Sequence, residues 1–301
     1  MVVFLIDVAG IINDFLTDLL SGIIISQLDE MLGQVDNAID DAQAGLAIQF
    51  GGAGMGAIFT MVNNVAVNVF MPIGGAVLAF ILAYELVQML ITSNNMVDVD
   101  IFAIMFKWMI KAFLGITVLI GAFNGAAAIF ALGNALLNDT VGFVNMVDTD
   151  AAGAQAILAG VDWDAASIGE LAVAAFMLLL LRPVFLLIML VVTVMITVRM
   201  IEIYISLAVA PIPMATIISG HFQQTGFNYI KTLIAYALQG ILIILILVAF
   251  RMLVAGWAAG LGGLGFGDLV GHILQLLAFV IFLVMGIMKS PAIAKSLVGA
   301  S

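Results

Sequence analysis

The chain has no cysteine, two histidines, five prolines and only eight lysines and arginines in 301 residues, and none of those eight precedes Lys107. Without cysteine there is no disulfide and no thiolate chemistry, which leaves the compartment open. So few cations argue against a nucleic-acid surface, because displacing counterions from phosphates takes clustered positive charge. No sequence-specific nucleic-acid binding is therefore expected. The metal and phosphate motifs H-E-x-x-H and G-x-x-x-x-G-K-S/T are missing as well. Gly265-Phe266-Gly267-Asp268 has the G-x-G-D pattern of an aspartyl protease, but that chemistry needs a second carboxylate to share a proton, and no other span carries one centrally. The chain is not expected to be an enzyme, and no catalytic residue, cofactor or metal site is assigned.

What is present is apolar. Hydrophobic residues make up 65% and charged residues 9%, with a mean hydropathy of +1.29. A soluble domain averages roughly half apolar and about a quarter charged. No soluble fold could hide this much apolar surface, so lipid is the expected solvent.

Crossing the hydrocarbon takes about 20 mostly apolar residues. Five stretches qualify, over about 65–92, 106–132, 171–199, 229–255 and 269–288. The fold class expected is all-α, a polytopic membrane protein with about five transmembrane helices and a proline-broken half-helix after the third. That half-helix is Met200–Ser219, interrupted by Pro211 and Pro213, each lacking a backbone donor.

Residues 1–58 read as an extracytoplasmic appendage, and 59–301 as the membrane domain. In the appendage Leu5, Val8, Ile12, Phe15, Leu16, Leu19 and Ile23 share one helical face, with Asp7, Asp14 and Asp18 on another. This predicts an amphipathic helix on the outer leaflet or on a protein partner, followed by a flexible connection over 33–58. The start MVVFLIDVAG has no basic residue and carries Asp7, which does not suit a cleaved signal peptide.

Cytoplasmic loops retain lysine and arginine. Lys107 and Lys111 open the second span, Arg199 and Lys231 bracket the segment after the third, and Lys289 and Lys295 follow the fifth. Residues 1–64, 133–170 and 256–268 contain no cation at all. Five crossings then put the N-terminus outside and the C-terminus in the cytoplasm. His221 and His272 fall on opposite sides and cannot share a metal.

Several positions are candidates for mechanism. Arg199 and Glu202 lie one helical turn apart. They read either as an interfacial ion pair fixing the end of the third span or as a docking point for a cytoplasmic partner. Pro211 and Pro213 read as a rigid re-entrant turn or as a gate at the inner mouth of a pore. Glu85 lies at a depth matched by Lys107 and Lys111, so a pair is expected among the three. Arg182 sits nearest mid-membrane with no acid at its level, which suggests a lumen or a subunit interface. Gly121-x-x-x-Gly125 would permit close helix packing.

Five strings carry a family resemblance: NNMVDVD (Asn94 to Asp100), FKWMIKAFLG, RMIEIYISLAVAPIPMATI, NYIKTLIAYALQG and KSPAIAKSLVGA. From about residue 60 to the end the chain resembles the TrbL-like conjugal transfer proteins of Gram-positive integrative elements, relatives of the polytopic inner-membrane subunit of type IV secretion systems. The resemblance implies a five-span homo-oligomer, possibly a ring, in the bacterial cytoplasmic membrane. Its implied partners are cytoplasmic ATPases, an extracytoplasmic scaffold and membrane lipids, and its implied role is helping DNA with its attached protein cross the membrane. A standalone channel or transporter for a small solute is the alternative, weakened by the odd span count and the lack of an inverted repeat.

Overall fold

A computed structural model describes residues 2–47, 56–93, 101–146, 163, 167–259 and 266–299. Among these there is no strand. The helices are α1 (Val2–Ala47), α2 (Gly56–Val65), α3 (Met71–Ser93), α4 (Ile101–Ile120), α5 (Ala122–Met146), α6 (Ile168–Val209), α7 (Pro211–Ala215), α8 (Gln223–Ala259) and α9 (Phe266–Val298). The protein is an all-α polytopic membrane protein. Helices follow from the solvent, since lipid offers nothing to an unpaired N–H or C=O and a helix satisfies both within itself.

Among the described residues six helices, one more than expected, are long and apolar enough to cross a membrane; the addition is Gly10–Gln34 in α1. The connection expected over 33–58 is helical as far as Ala47. The string Asn94–Asp100, most of the acidic stretch between Met146 and Ser167, and the glycine-rich turn as far as Gly265 lie outside the described residues.

The chain divides into two compact units. One comprises Met1–Gln43, Thr140–Ile196 and Leu242–Lys289; the other comprises Ala44–Asp139, Thr197–Ile241 and Ser290–Ser301. In the first, Ile24, Leu28 and Met31 of α1 pack with Leu178, Phe185 and Met189 of α6, Leu247 and Phe250 of α8, and Val280 and Leu283 of α9. Burial of α1 thus runs along Thr17, Ile24, Leu28 and Met31, whereas Ile12, Phe15 and Leu19 of the expected apolar stripe are exposed. The helix buries the stripe that fits its neighbours, and the more apolar face is left to the surroundings.

In the second unit α2 runs into α3 through one π-helical turn, Ala66–Phe70, in which the Met71 N–H reaches back to the Ala66 carbonyl. Such single wide turns interrupt α-helices without ending them. Val62 and Ala66 pack with Phe123, Ala126 and Phe130 of α5, Ile203 and Leu207 of α6, and Leu233 of α8. Leu78 and Leu82 pack with Leu119 of α4 and Ala215 of α7. Opposite these cores stand bare apolar faces, with Phe102 78% and Phe113 70% exposed on α4, as acyl chains require.

The second and third spans differ from expectation at their ends. Gly121 separates α4 from α5, yet the i→i−4 bonds continue through it, from Gly121 N–H to Thr117 O at 3.0 Å and from Gly125 N–H to Gly121 O at 2.8 Å. The third helix does not stop at Arg199 but runs to Val209 and breaks only at Ala210. At 1.5 Å per residue its 42 residues measure about 63 Å, roughly twice the hydrocarbon thickness. Hydropathy marked where that helix is most apolar, and the backbone continued beyond.

Candidate functional site

The second unit gathers most of the singled-out residues around the break after α6. Pro211 starts α7 at a position where its missing donor costs nothing, because a first-turn N–H has no helical partner. The turn then closes on itself. Met214 N–H reaches Ala210 O at 3.2 Å, Thr216 N–H reaches Pro213 O at 3.1 Å, and the Thr216 hydroxyl donates to the same carbonyl at 2.7 Å. Glycines on two other helices let it sit deep. A Cβ on Gly74 of α3 would lie 2.7 Å from the Pro211 oxygen, and one on Gly226 of α8 would lie 2.9 Å from the Pro213 oxygen. Pro211, Met214 and Ala215 are buried. The carbonyls freed by two prolines are thus covered by protein, as backbone at membrane depth must be.

The chain leaving this turn caps Glu85. Glu85 is 6% exposed; it takes a hydrogen bond from Gly220 N–H at 2.5 Å and is paired with the Lys111 ammonium. Ser219, fully buried, accepts from the N–H groups of His221 and Phe222, each at 3.2 Å, and so opens α8. Tyr84 meets the His221 ring edge-on at 5.7 Å between centroids. Trp108 Nε1 donates to the Leu82 carbonyl at 2.9 Å. One carboxylate therefore ties together α3, α4 and the turn before α8. Of the two lysines at its depth it engages Lys111, while Lys107 stands exposed one turn earlier. Beside the pair lies an open cavity of about 440 Å³, lined among others by Glu85, Gln88, Lys107, Lys111 and His221.

Arg199 is not at a helix exit. It is 3% exposed, ten residues before the end of α6, and donates through Nη2 to the Tyr236 carbonyl of α8 at 2.7 Å. Gly240 makes its niche, since a Cβ there would stand 2.6 Å from Nη2. Among the described residues Nε and Nη1 have no hydrogen-bond partner. Glu202 is exposed and the structure forms no ion pair between it and Arg199. Residues three apart share a face, but burial draws one inward and leaves the other outside. Beyond Gly240, Tyr229 binds α8 to α6 by donating its hydroxyl to the Ser206 carbonyl at 2.7 Å.

In the first unit Arg182 pairs with Glu30 of α1, a partner that an amphipathic helix lying outside the membrane does not offer. The signal was there, Asp29 and Glu30 embedded between Ile23 and Met31. Gly121 and Gly125 bring no neighbouring helix close: an added Cβ would meet only the helix's own backbone at Gly121 and nothing within 4 Å at Gly125.

Apolar helices, ion pairs joining them and a proline turn packed into the protein define a multi-pass helical membrane protein built for packing within lipid. The family model described as TrbL/VirB6 plasmid conjugal transfer like protein matches residues 50–211, just over half of the sequence, and the chain belongs to that family. It is accordingly a membrane component of the conjugal transfer type. No curated protein and no solved structure gave a match.

Proposed function

We propose that the chain is a non-enzymatic subunit of a conjugative type IV secretion apparatus, forming or supporting the inner-membrane channel through which DNA with attached protein passes. The observation that carries this reading is the family match over residues 50–211, which takes in Glu85, Lys111, Arg199 and the first proline of the turn. Several copies would assemble through the exposed apolar faces, with ATPases at the cytoplasmic ends and a scaffold outside. The lysines near the start of α4, near the start of α8 and near the end of α9 favour the cytoplasm for those helix ends and for the C-terminus.

With five crossings the N-terminus is outside. The Arg182–Glu30 pair favours a second arrangement, in which α1 is a sixth crossing and both ends are cytosolic, because a cation near mid-span draws its acid to the same depth. Labelling a cysteine placed near residue 3 in intact cells separates the two.

The function is tested by mating. Deleting the gene from a donor that carries the conjugative element should abolish transfer, and the wild-type gene supplied in trans should restore it. Unchanged transfer frequency in the deletion strain would end this reading. Replacing Pro211 and Pro213 together with Ala tests the gate within it, since normal transfer would leave those residues a purely structural turn.

A further inference from the structure

We propose that the cavity beside the Glu85–Lys111 pair is a binding site for the phosphodiester headgroup of an anionic phospholipid. The cavity is lined by the last turns of α3 and the first turns of α4, with Gly220 and His221 from the turn before α8. Those turns are the ends of two membrane-spanning stretches, Gly56–Thr92 and Phe102–Ile120. An opening at that level faces the lipid headgroups.

Charge decides the sign of the occupant. Glu85 cancels Lys111, and among the described residues Lys107 has no ion-pair partner, so the described residues lining the cavity together carry one net positive charge in a protein of net charge −11. One phosphodiester balances it. Gln88, Thr92 and His221 add hydrogen-bonding groups around the lysines. Met89 and Ile104 supply apolar wall, and exposed Ile91, Phe102 and Met105 continue on the same two helices, a surface that suits acyl chains and not a soluble peptide. Basic pockets between transmembrane helices on the cytoplasmic side hold anionic headgroups by this combination.

The test is native mass spectrometry of the detergent-solubilised full chain with added phosphatidylglycerol or phosphatidylcholine. The wild type should retain phosphatidylglycerol in preference. Lys107→Gln should lower its retention about fivefold, the ratio that one lysine near an anionic surface provides, and Lys107→Arg should keep it. Lys107 is exposed, so the variant should fold, which an unchanged unfolding midpoint will verify. Lys295→Gln removes an equal charge elsewhere and should change nothing. The proposal is overturned if Lys107→Gln has no effect, if Lys295→Gln lowers retention equally, or if phosphatidylcholine is held as well. It is likewise overturned if glycerol phosphate binds as tightly as the lipid, which would make this a free-anion site, or if a polyglutamate peptide displaces the lipid, which would point to a protein partner.

Discussion

Replacing Glu85 separates two contributions that one carboxylate makes at once. Glu85→Gln keeps an oxygen to accept from Gly220 N–H but removes the charge that faces Lys111. A fully buried pair loses about 3–5 kcal/mol when one partner is removed. A solvated pair contributes about 0–1 kcal/mol. The Lys111 side chain is 36% exposed and that of Glu85 only 8%, so the lysine can turn toward water once released, and the cost of Glu85→Gln falls between, at about 1–2 kcal/mol. Glu85→Ala also orphans the Gly220 N–H, which adds about 1–3 kcal/mol. Reversible unfolding in mixed micelles with increasing dodecyl sulfate measures both, with Trp108 fluorescence as a local reporter because its indole is bonded to the Leu82 carbonyl one turn away. A double-mutant cycle with Lys111→Gln should give a coupling of about 1 kcal/mol. Equal destabilisation by Glu85→Gln and Glu85→Ala, or a coupling of zero, would refute the division of labour argued here.

Two further outcomes follow from packing. Gly240→Ala should evict the Arg199 guanidinium from its niche and break its bond to the Tyr236 carbonyl, destabilising by about 2–4 kcal/mol; the same titration checks it, and Arg199→Met should relieve much of the damage when combined with it. Glu30→Leu alone should destabilise by leaving Arg182 unpaired near mid-span, whereas Glu30→Leu with Arg182→Met should restore or exceed wild-type stability, as apolar replacement of ion pairs often does; comparing unfolding midpoints of the single and double variants decides.

The apolar runs betray where helices sit, because lipid admits hardly any other backbone. Their ends are hidden for the same reason: α6 continues ten residues past Arg199 with no change in character, and only Pro211 stops it. Matching depth narrows the partner of Glu85 to Lys107 or Lys111, but the rotation of α4 that favours Lys111 is a tertiary fact. Arg182 looked solitary because Glu30 is 152 residues away in sequence, on a helix whose stronger apolar stripe faces away from its core contacts. The niches at Gly74, Gly226 and Gly240 leave no mark in the sequence, since a glycine says nothing of which carbonyl or guanidinium will occupy the space. Gly121 and Gly125, spaced for close packing, meet no neighbouring helix among the described residues.

The wide turn at Ala66–Phe70 explains how one long rod keeps a single side inward. Val62, Ala66, Gly74, Leu78 and Leu82 are buried and Phe70 is half-buried, a recurrence of every fourth residue. On an ideal α-helix each such step overshoots a full revolution by about 40°, and five steps would swing the inward side about 200° around the axis. A turn that accommodates an additional residue returns about 100° of that drift at its midpoint, so the rod stays buried on both sides of it, Val62 and Ala66 against α5, α6 and α8 and Leu78 and Leu82 against α4 and α7.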